Sequence, residues 1–349
     1  MSGVQSVRLS RRTAIGELTG GVAWIAIAGP VMAKAPPSGF IDVRAFGAKG
    51  DGIADDTQAL TRAHAMDKPV YYPRPAAFYR LSAPLRVTNS VHGDGARIRL
   101  AQNGMATTDI LIVLANPRPL SISGLVLDGG YQPGRPAEES KGIALSGARD
   151  VTVAGNTIAN TCGDCIHLGR RKGGTDGCEN IRLVGNVLDN PGRCNVAVTH
   201  AHNVEITGNR IAQVRDYVAA IDLEPDADGS SSVRDVRIID NRFSVPGSFL
   251  AITKSNRAAT SAIEVRGNTG SAACLSRINA SARAEKVVFT GNAFRSNGQP
   301  GSMFAWQGVR QAILRRNVDR TPCVPGRLYR SLTVTDSEVS IEPGNVFCG

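Results

Sequence analysis

Two carboxylates lie one residue apart in the segment IDLEP, at Asp222 and Glu224. In a strand, positions i and i+2 share one face, with Cα atoms about 6.5–7 Å apart. Carboxyl groups about 6.5–9.5 Å apart can serve as acid and base around a glycosidic bond and a water molecule. Repulsion between the two charges would raise the pKa of one of them, as a general acid requires. The pair predicts glycosidic hydrolysis; the competing interpretation is two solvated carboxylates or the edge of a calcium site.

Further polar groups join the pair when the third strands of three repeats are aligned on their inward apolar residues. Three outward columns result: His167, Ala197 and Asp222; Gly169, Thr199 and Glu224; and Arg170, His200 and Pro225. Lys254 extends the third column if the next repeat keeps register. His167 would lie roughly 9–10 Å from Asp222 and could act as a general acid or base. Arg170 and Arg193, with His200 and Lys254, are candidates for binding the carboxylates of an acidic substrate.

The elements that would position these groups form a repeat. The segments VTVAGNTIANTCGDCIHLG, IRLVGNVLDNPGRCNVAVT and VEITGNRIAQVRDYVAAIDLEP each show a strand, a Gly-Asn turn, a strand, a loop and a strand. Asn recurs at positions 156, 186, 209, 241, 268, 292 and 317. Such a period is typical of a solenoid, and the alternation of apolar and polar residues predicts strands. We expect these Asn residues to be structural, adopting the left-handed turn conformation and bonding to the Asn of the next coil.

Residues 1–35 have the pattern of a twin-arginine signal peptide. Ser10, Arg11 and Arg12 precede an apolar, Gly-rich stretch that ends in the small-residue site Ala33-Lys34-Ala35. The pattern predicts a periplasmic or secreted protein with no stable membrane insertion after cleavage. An uncleaved anchor is the alternative, although the stretch is short and Gly-rich for a membrane span.

The charge of the chain favours an acidic partner. The formal net charge is +10, and loss of residues 1–35, with four basic residues and one acidic residue, lowers it to +7. A basic exported protein suits an acidic polysaccharide or a charged envelope surface. An aromatic content of 5% is low for a surface that stacks nucleic-acid bases, so we expect no nucleic-acid partner.

The seven cysteines admit two interpretations. They are Cys162, Cys165, Cys178, Cys194, Cys274, Cys323 and Cys348. Export permits disulfides, so we expect one or two bridges among the first four, a Cys323–Cys348 bridge, and an unpaired Cys274. The alternative is a zinc site built from Cys162 and Cys165 with His167, Cys178 or Cys194.

The segment FIDVRAFGAKGDGIADDTQALTRAHA, followed by PVYYP, opens the predicted mature chain. It predicts a strand over 41–46, a loop over 47–54 and a helix that begins at Asp55-Asp56-Thr57. This opening resembles that of the pectate-lyase-like superfamily. The resemblance implies one all-β domain over residues 36–349, a single-stranded right-handed parallel β-helix with a short N-terminal helix that covers the edge of the first coil.

The segment GDCIHLG resembles the Asp-Asp-Cys-Ile segment of polygalacturonases. Asp164 matches the second Asp of that catalytic pair, and Gly163 stands in place of the first. The resemblance implies activity on a polysaccharide, with Asp164 assisting Asp222, Glu224 and His167. The hydrolase interpretation needs no cofactor and assigns no metal ligand. Two alternatives are β-elimination of a uronate polymer with Ca²⁺ and a basic side chain, and a non-catalytic repeat protein that binds glycan or envelope.

Overall fold

The computed structural model describes residues 35–100, 109–131, 140–171, 173–215, 219–226, 230–253, 260–279, 282, 284–298, 302–322 and 330–347. The predicted signal segment up to residue 34, the substrate-binding candidate Lys254, and the cysteines Cys323 and Cys348 lie outside these ranges.

Short strands make up most of the described chain. They are β1 (Ile41–Asp42), β2 (Val70–Tyr72), β3 (Tyr79–Leu81), β4 (Leu85–Arg86), β5 (Val91–Leu100), β6 (Leu111–Leu114), β7 (Leu120–Asp128), β8 (Ile143–Ser146), β9 (Arg149–Ala154), β10 (Thr157–Ala159), β11 (Ile166–Gly169), β12 (Cys178–Val184), β13 (Val187–Asp189), β14 (Val196–Val198), β15 (Ala201–Thr207), β16 (Arg210–Ala212), β17 (Ile221–Leu223), β18 (Val233–Ile239), β19 (Arg242–Ser244), β20 (Ser248–Ile252), β21 (Thr260–Arg266), β22 (Thr269–Ala272), β23 (Cys274–Ile278), β24 (Ala284–Thr290), β25 (Ala293–Ser296), β26 (Ser302–Gln307), β27 (Ala312–Arg315), β28 (Val318–Asp319), β29 (Arg330–Thr335) and β30 (Val339–Ile341).

The strands stack as a right-handed parallel β-solenoid of about ten turns. Each coil from β9 to β29 contributes three strands, and each strand pairs in parallel with its counterparts in the neighbouring coils. A ten-strand sheet consists of β4, β6 and β8 and then of every third strand, from β11 through β14, β17 and β20 to β29. The other strands form the larger sheet of twenty strands. The predicted all-β parallel β-helix is confirmed.

Alternation of apolar and polar residues sets the register of the ten-strand sheet. Ile166 pairs with Val196, and Val196 pairs with Ile221, in successive coils. These side chains and the next apolar ones along each strand, Leu168 and Leu223, have no solvent exposure. Full burial of each such side chain stabilises the fold by about 1.5–3 kcal/mol. The predicted inward positions are therefore the core positions, and the residues between them face outward.

A continuous column of Asn side chains runs through the turns of the larger sheet. The amide of each Asn donates to the Oδ1 atom of the next, at 2.9–3.2 Å, from Asn156 through Asn317 to Asn345. The predicted stack is confirmed and extends to Asn345. The predicted left-handed backbone, however, belongs to the preceding residue, such as Gly155 at φ 62° or Asp240 at φ 52°. Because the preceding residue adopts the left-handed conformation, each Asn side chain can point into the coil and bond to the next Asn of the column.

The N-terminal coil differs in part from the sequence prediction. The strand expected over 41–46 is only two residues long, because Val43–Phe46 forms a 3₁₀ helix whose first turn is capped by the side chain of Asp42. The helix α1 spans Thr57–His64, and its residues Ala59, Leu60 and Ala63 join the main hydrophobic core. None of the helices in the described ranges is long and apolar enough to cross a membrane.

The Asp pair before α1 has the predicted cap and loop roles. Asp55 Oδ1 accepts from the backbone N–H of Thr57 at 3.0 Å, so it satisfies a free donor of the first turn. Asp56 accepts from the backbone N–H groups of Lys49 and Gly50, at 2.7 and 3.1 Å. The two carboxylates thus fix the loop and the start of the helix.

The disulfides expected among the first four cysteines are wrong. Cys162, Cys165, Cys178 and Cys194 are all buried and none is disulfide-bonded; Cys274 is also unbridged, as predicted. The position stacked on Cys165 in the next coil is Asn195, and the partner of Cys178 is Ala201, so these two thiols do not meet a cysteine in the neighbouring coil. They contact backbone carbonyls instead, at 3.4 Å from Cys165 Sγ to Ile158 O and 3.3 Å from Cys178 Sγ to Leu145 O.

We expect these five cysteines to be unreactive in the folded protein and reactive after unfolding. Burial raises the pKa of Cys165 to about 12 and that of Cys178 to about 11, so almost no thiolate exists at neutral pH. Alkylation in denaturant without a reductant, followed by peptide mass spectrometry, should modify all five. A requirement for reductant at any of them would contradict the assignment.

Candidate functional site

Asp222 and Glu224 lie in the ten-strand sheet, at strand β17 and directly after it. Asp222 is between the core residues Ile221 and Leu223 and has no solvent exposure, although it occupies an outward position. Glu224 continues the strand, since its backbone N–H donates to Val198 O at 2.9 Å, and its side chain is 19% exposed. The predicted pair therefore combines one enclosed carboxyl group with one that reaches solvent.

The first two predicted outward columns are present. His167 pairs with Ala197, Ala197 with Asp222, and Asp222 with Ala251 in successive strands. The backbone N–H of Thr199 donates to Leu168 O at 2.8 Å, which keeps the second column in register. The parallel stacking thus places the candidates of three repeats on one surface of the molecule.

Arg193 connects two of the predicted carboxylates. Its Nη2 donates to Glu224 Oε2 at 2.8 Å, and its Nη1 lies 3.8 Å from Asp164 Oδ2. Asp164 precedes β11 and is fully buried, and its Oδ1 accepts from the backbone N–H of Cys194 at 3.1 Å. Three coils therefore contribute to one cluster, which we call the carboxylate cluster: Asp164, Arg193, Asp222 and Glu224.

Among the described residues, each buried carboxyl group of the cluster has one oxygen with a hydrogen-bond partner and one oxygen without. Asp222 Oδ1 accepts from the Thr253 hydroxyl at 2.9 Å. Asp222 Oδ2 and Asp164 Oδ2 are buried without a hydrogen-bond partner among the described residues. Buried polar atoms are nearly always satisfied by protein, water or ligand, so these two oxygens mark a place where a polar group is expected to bind.

The cluster shifts the pKa of both buried carboxyl groups upward. Burial raises the pKa of Asp222, and the charge of Glu224 raises it further, to about 7 in spite of the bond from Thr253. Burial likewise raises the pKa of Asp164 to about 6, against the attraction of Arg193. Near neutral pH the site can therefore hold a protonated carboxyl group, which is what proton transfer to a leaving group requires.

His167 is partly buried and held against a glycine. A Cβ atom at Gly169 would lie 2.7 Å from His167 Cε1 and 2.7 Å from Thr199 Oγ1, so the imidazole occupies the space that a side chain would fill. Burial, together with the charges of Lys141 and Arg193, lowers the pKa of His167 to about 3. The ring is therefore neutral at physiological pH and can donate or accept one hydrogen bond.

We expect Gly169→Ala to displace the His167 ring toward solvent. The backbone of Gly169 is not left-handed, so the new Cβ acts only through its contact with the ring and with Thr199. In the wild-type protein the ring should not titrate above about pH 4; in the variant its pKa should move toward the ordinary value near 6.5. Histidine NMR signals followed against pH give the measurement. Gly174→Ala, where a Cβ meets only ordinary contacts, is the control, and an unchanged His167 titration in Gly169→Ala would disprove the contact.

Arg170 and His200 both have contacts with residues outside the carboxylate cluster. Arg170 is paired with other groups, because its Nε is 3.7 Å from Asp226 and its Nη1 donates to Ser230 at 2.9 Å. His200 is buried, with its ring centroid 5.7 Å from that of His202. Arg193, in contrast, is joined to the predicted catalytic residues Glu224 and Asp164.

Sequence reasoning missed two residues of the site. Thr253 follows β20, and its position is stacked on Glu224, so extending the second column by one coil would have found it. Lys141 is stacked on Asp164 in the preceding coil, as shown by the bond from Gly142 N to Asp164 O at 3.0 Å. Both residues lie just outside the bounds of a strand, Thr253 after β20 and Lys141 before β8.

The alternative zinc interpretation finds no match in the described part of the chain. No group of three or more His, Cys, Asp or Glu residues there is arranged to hold a metal ion. Cys165 and Cys178 each contact a carbonyl, as described above.

Comparison with known proteins identifies the fold class. Neither a protein-family model nor a curated protein matches the sequence. Among solved structures, gene product 12 of bacteriophage phi29 is similar, with a TM-score of 0.70 and 16% identity over 86% of this chain. The chain spans less than half, 45%, of that phage protein.

Two other solved structures have comparable scores. The tailspike protein of the E. coli bacteriophage HK620, in complex with a pentasaccharide, has a TM-score of 0.62 and 16% identity, covering 87% of this chain and 66% of its own. The endo-xylogalacturonan hydrolase from Aspergillus tubingensis has a TM-score of 0.61 and 14% identity, covering 86% of this chain and 93% of its own. At these identities the likeness shows the parallel β-helix fold alone.

Proposed function

We propose that this protein binds a polysaccharide along the outer surface of its ten-strand sheet and hydrolyses its glycosidic bonds. The observation that carries the proposal is the enclosed Asp222 next to Glu224, with Arg193 joining Glu224 to Asp164. Two structural relatives, a xylogalacturonan hydrolase and a tailspike bound to a pentasaccharide, support a glycan as the partner.

In this mechanism Asp222 is the general acid. Its proton passes to the glycosidic oxygen as the bond from that oxygen to the anomeric carbon breaks. A water molecule attacks the anomeric carbon and gives its proton to Glu224, so the pair ends with its protons exchanged and is reset by solvent. Asp164 and the neutral His167 assist by hydrogen bonds to the sugar or to the water.

An acidic polysaccharide suits the charges around the cluster. Arg193 and Lys141 are both close enough to Asp164 to lower its pKa, and both lower that of His167. Cations in that position can bind a sugar carboxylate that enters beside the pair. With the predicted signal segment, the proposal includes action outside the cytoplasm, in the periplasm or the medium.

The arrangement favours hydrolysis over β-elimination. A lyase needs a basic side chain that can release its proton, and Arg193 is held by Glu224 and Asp164. Burial works against the charge of Arg193, but these carboxylates outweigh it and raise its pKa above the ordinary value. Arg193 is therefore suited to binding and not to proton abstraction.

The proposal is tested by incubating the purified protein with a panel of acidic and neutral polysaccharides, with and without calcium. Hydrolysis predicts new reducing ends without the ultraviolet absorbance of an unsaturated uronate. Absorbance that disappears with a chelator would replace hydrolysis by calcium-dependent elimination. Retention of a glycan without any product would leave a binding protein and remove the catalytic roles.

We expect the rate of hydrolysis to fall above about pH 7. The pKa of Asp222 is raised, so the protonated acid is present below that value and is lost as pH rises through it. Above it, kcat/KM should decrease about tenfold per pH unit. Thr253→Val removes a bond that lowers the pKa of Asp222, so it should shift this alkaline limb to higher pH. If the alkaline limb of the pH profile did not shift in Thr253→Val, a group other than Asp222 would control that limb.

A further inference from the structure

A cavity of about 290 Å³ lies at the end of helix α1, in the first coils of the solenoid. Its wall is formed by residues 64–67, by 86–89 at the end of β4, and by 114–118 after β6. None of these residues belongs to the carboxylate cluster. The volume is close to the lower end of the range for small-molecule sites, about 300 Å³.

One cationic side chain at the cavity, Arg86, is able to bind an anion. Arg86 is exposed at an outward position of β4 and has no ion-pair or side-chain hydrogen-bond partner within the described ranges. The second cation, Arg118, contacts Asp67, which also lines the cavity. The charges of Arg86, Arg118 and Asp67 leave the cavity with a net positive charge, which suits a ligand with one negative charge.

Neutral polar groups line the same space. Asn89 donates to Met66 O at 2.6 Å and to Thr88 Oγ1 at 3.3 Å, which leaves its side-chain oxygen as an acceptor for a hydroxyl group. His64 is 3% exposed, and its Nε2 lies 2.8 Å from the Tyr72 hydroxyl. The other ring nitrogen, Nδ1, is buried without a partner among the described residues, a deficit that a bound polar molecule or a water would correct.

Apolar surface completes the wall. Met66 is 44% exposed although it is a large hydrophobic residue, and Leu114 is partly exposed beside it. Burial lowers the pKa of His64 to about 4, so the imidazole adds no charge at neutral pH. The site therefore combines a carboxylate-binding cation, acceptors for hydroxyl groups and an apolar surface for C–H groups.

From these features we propose that the cavity binds a sugar acid, such as a hexuronate or the uronate end of an oligosaccharide. Its carboxylate bonds to Arg86 and Arg118, its hydroxyl groups to Asn89, and the C–H face of its ring packs on Met66 and Leu114. The inference does not depend on the proposed hydrolysis, because it uses none of the same residues.

The test is isothermal titration of the whole chain with sodium D-glucuronate, D-glucose and sodium acetate. Glucuronate should bind at least tenfold more tightly than either of the others, since each of them lacks one half of the recognised chemistry. Arg86→Gln should weaken glucuronate binding about tenfold. Arg97→Gln, which removes from β5 another exposed arginine without an ion pair in the described ranges, should leave it unchanged.

The NMR signals of the histidine rings show where the ligand binds. The chain contains five histidines, and the ring signals of His64 should shift on addition of glucuronate while those of His167 do not. Absence of binding up to ~50 mM, or equal affinity for glucose, would overturn the proposal. So would binding that survives Arg86→Gln but is lost in Arg193→Gln, since the sugar would then occupy the carboxylate cluster.

Discussion

Asp222→Asn is expected to lower kcat by about 10²–10⁴-fold, the usual contribution of a general acid. The amide has the shape of the carboxyl group and can still accept from the Thr253 hydroxyl, but it cannot deliver a proton. Removal of an ionisable group from a site without solvent exposure should not lower stability. The measurement is release of reducing ends from the substrate that the panel identifies, together with the thermal midpoint of the variant.

Asp176→Asn supplies the matched control. Asp176 is exposed in the loop between β11 and β12, and the same chemical change there should leave kcat within about twofold of wild type. If Asp222→Asn also retained wild-type kcat, Asp222 would have no part in the reaction, and the buried carboxyl group would be a structural member of an ion-pair network.

Asn209→Asp is expected to destabilise the fold by about 3–5 kcal/mol, as for a buried charge that lacks its partner. The amide of Asn209 donates to Leu183 O at 2.8 Å and to Asn241 Oδ1 at 3.0 Å, within a residue that is 1% exposed. A carboxylate at position 209 would place an oxygen, which cannot donate a hydrogen bond, next to both acceptors. The thermal midpoint should fall by roughly 10 °C.

Asn203→Asp makes the same change in an exposed position. The amide of Asn203 donates to Asn180 Oδ1 at 2.7 Å, where water can replace the bond. We expect a loss there of only about 0.5 kcal/mol. Burial would raise the pKa of the carboxyl group introduced by Asn209→Asp, so the penalty in that variant should diminish as the pH falls and the protonated group donates again. Equal effects of the two substitutions would show that burial of the Asn column does not control stability.

The parallel stacking was predictable from the sequence because a period of two fixes which residues face inward. The pairs Ile166 with Val196 and Val196 with Ile221 follow from that period, and the outward column of His167 and Asp222 follows from the pairs. The sequence could not show that Asp222 is enclosed, since alternation assigns a residue to the outward face but does not say how much solvent reaches it. The fold is therefore readable from local alternation, whereas the exposure of a site residue is not.

Side-chain contacts between different coils could not be predicted from the sequence. Arg193 reaches Glu224 across 31 positions of sequence, and only the lengths and directions of two side chains decide that they meet. The disulfide prediction was wrong for a related reason. It used the nearness of cysteines along the chain, but Cys165 and Cys178 point toward different carbonyls of the core.

The stacking of coils also determines how the molecule should open. In a solenoid each coil contacts its neighbours alone, so unfolding can start at either end and proceed inward one coil at a time. The strands that carry His167, Ala197, Asp222 and Ala251 belong to four consecutive coils in the middle of the stack. Amide hydrogens there should exchange with solvent only after the outer coils have detached, and those of β29 and β30 should exchange far sooner. The residues of the candidate site would thus keep their geometry during fluctuations that repeatedly open the ends of the protein.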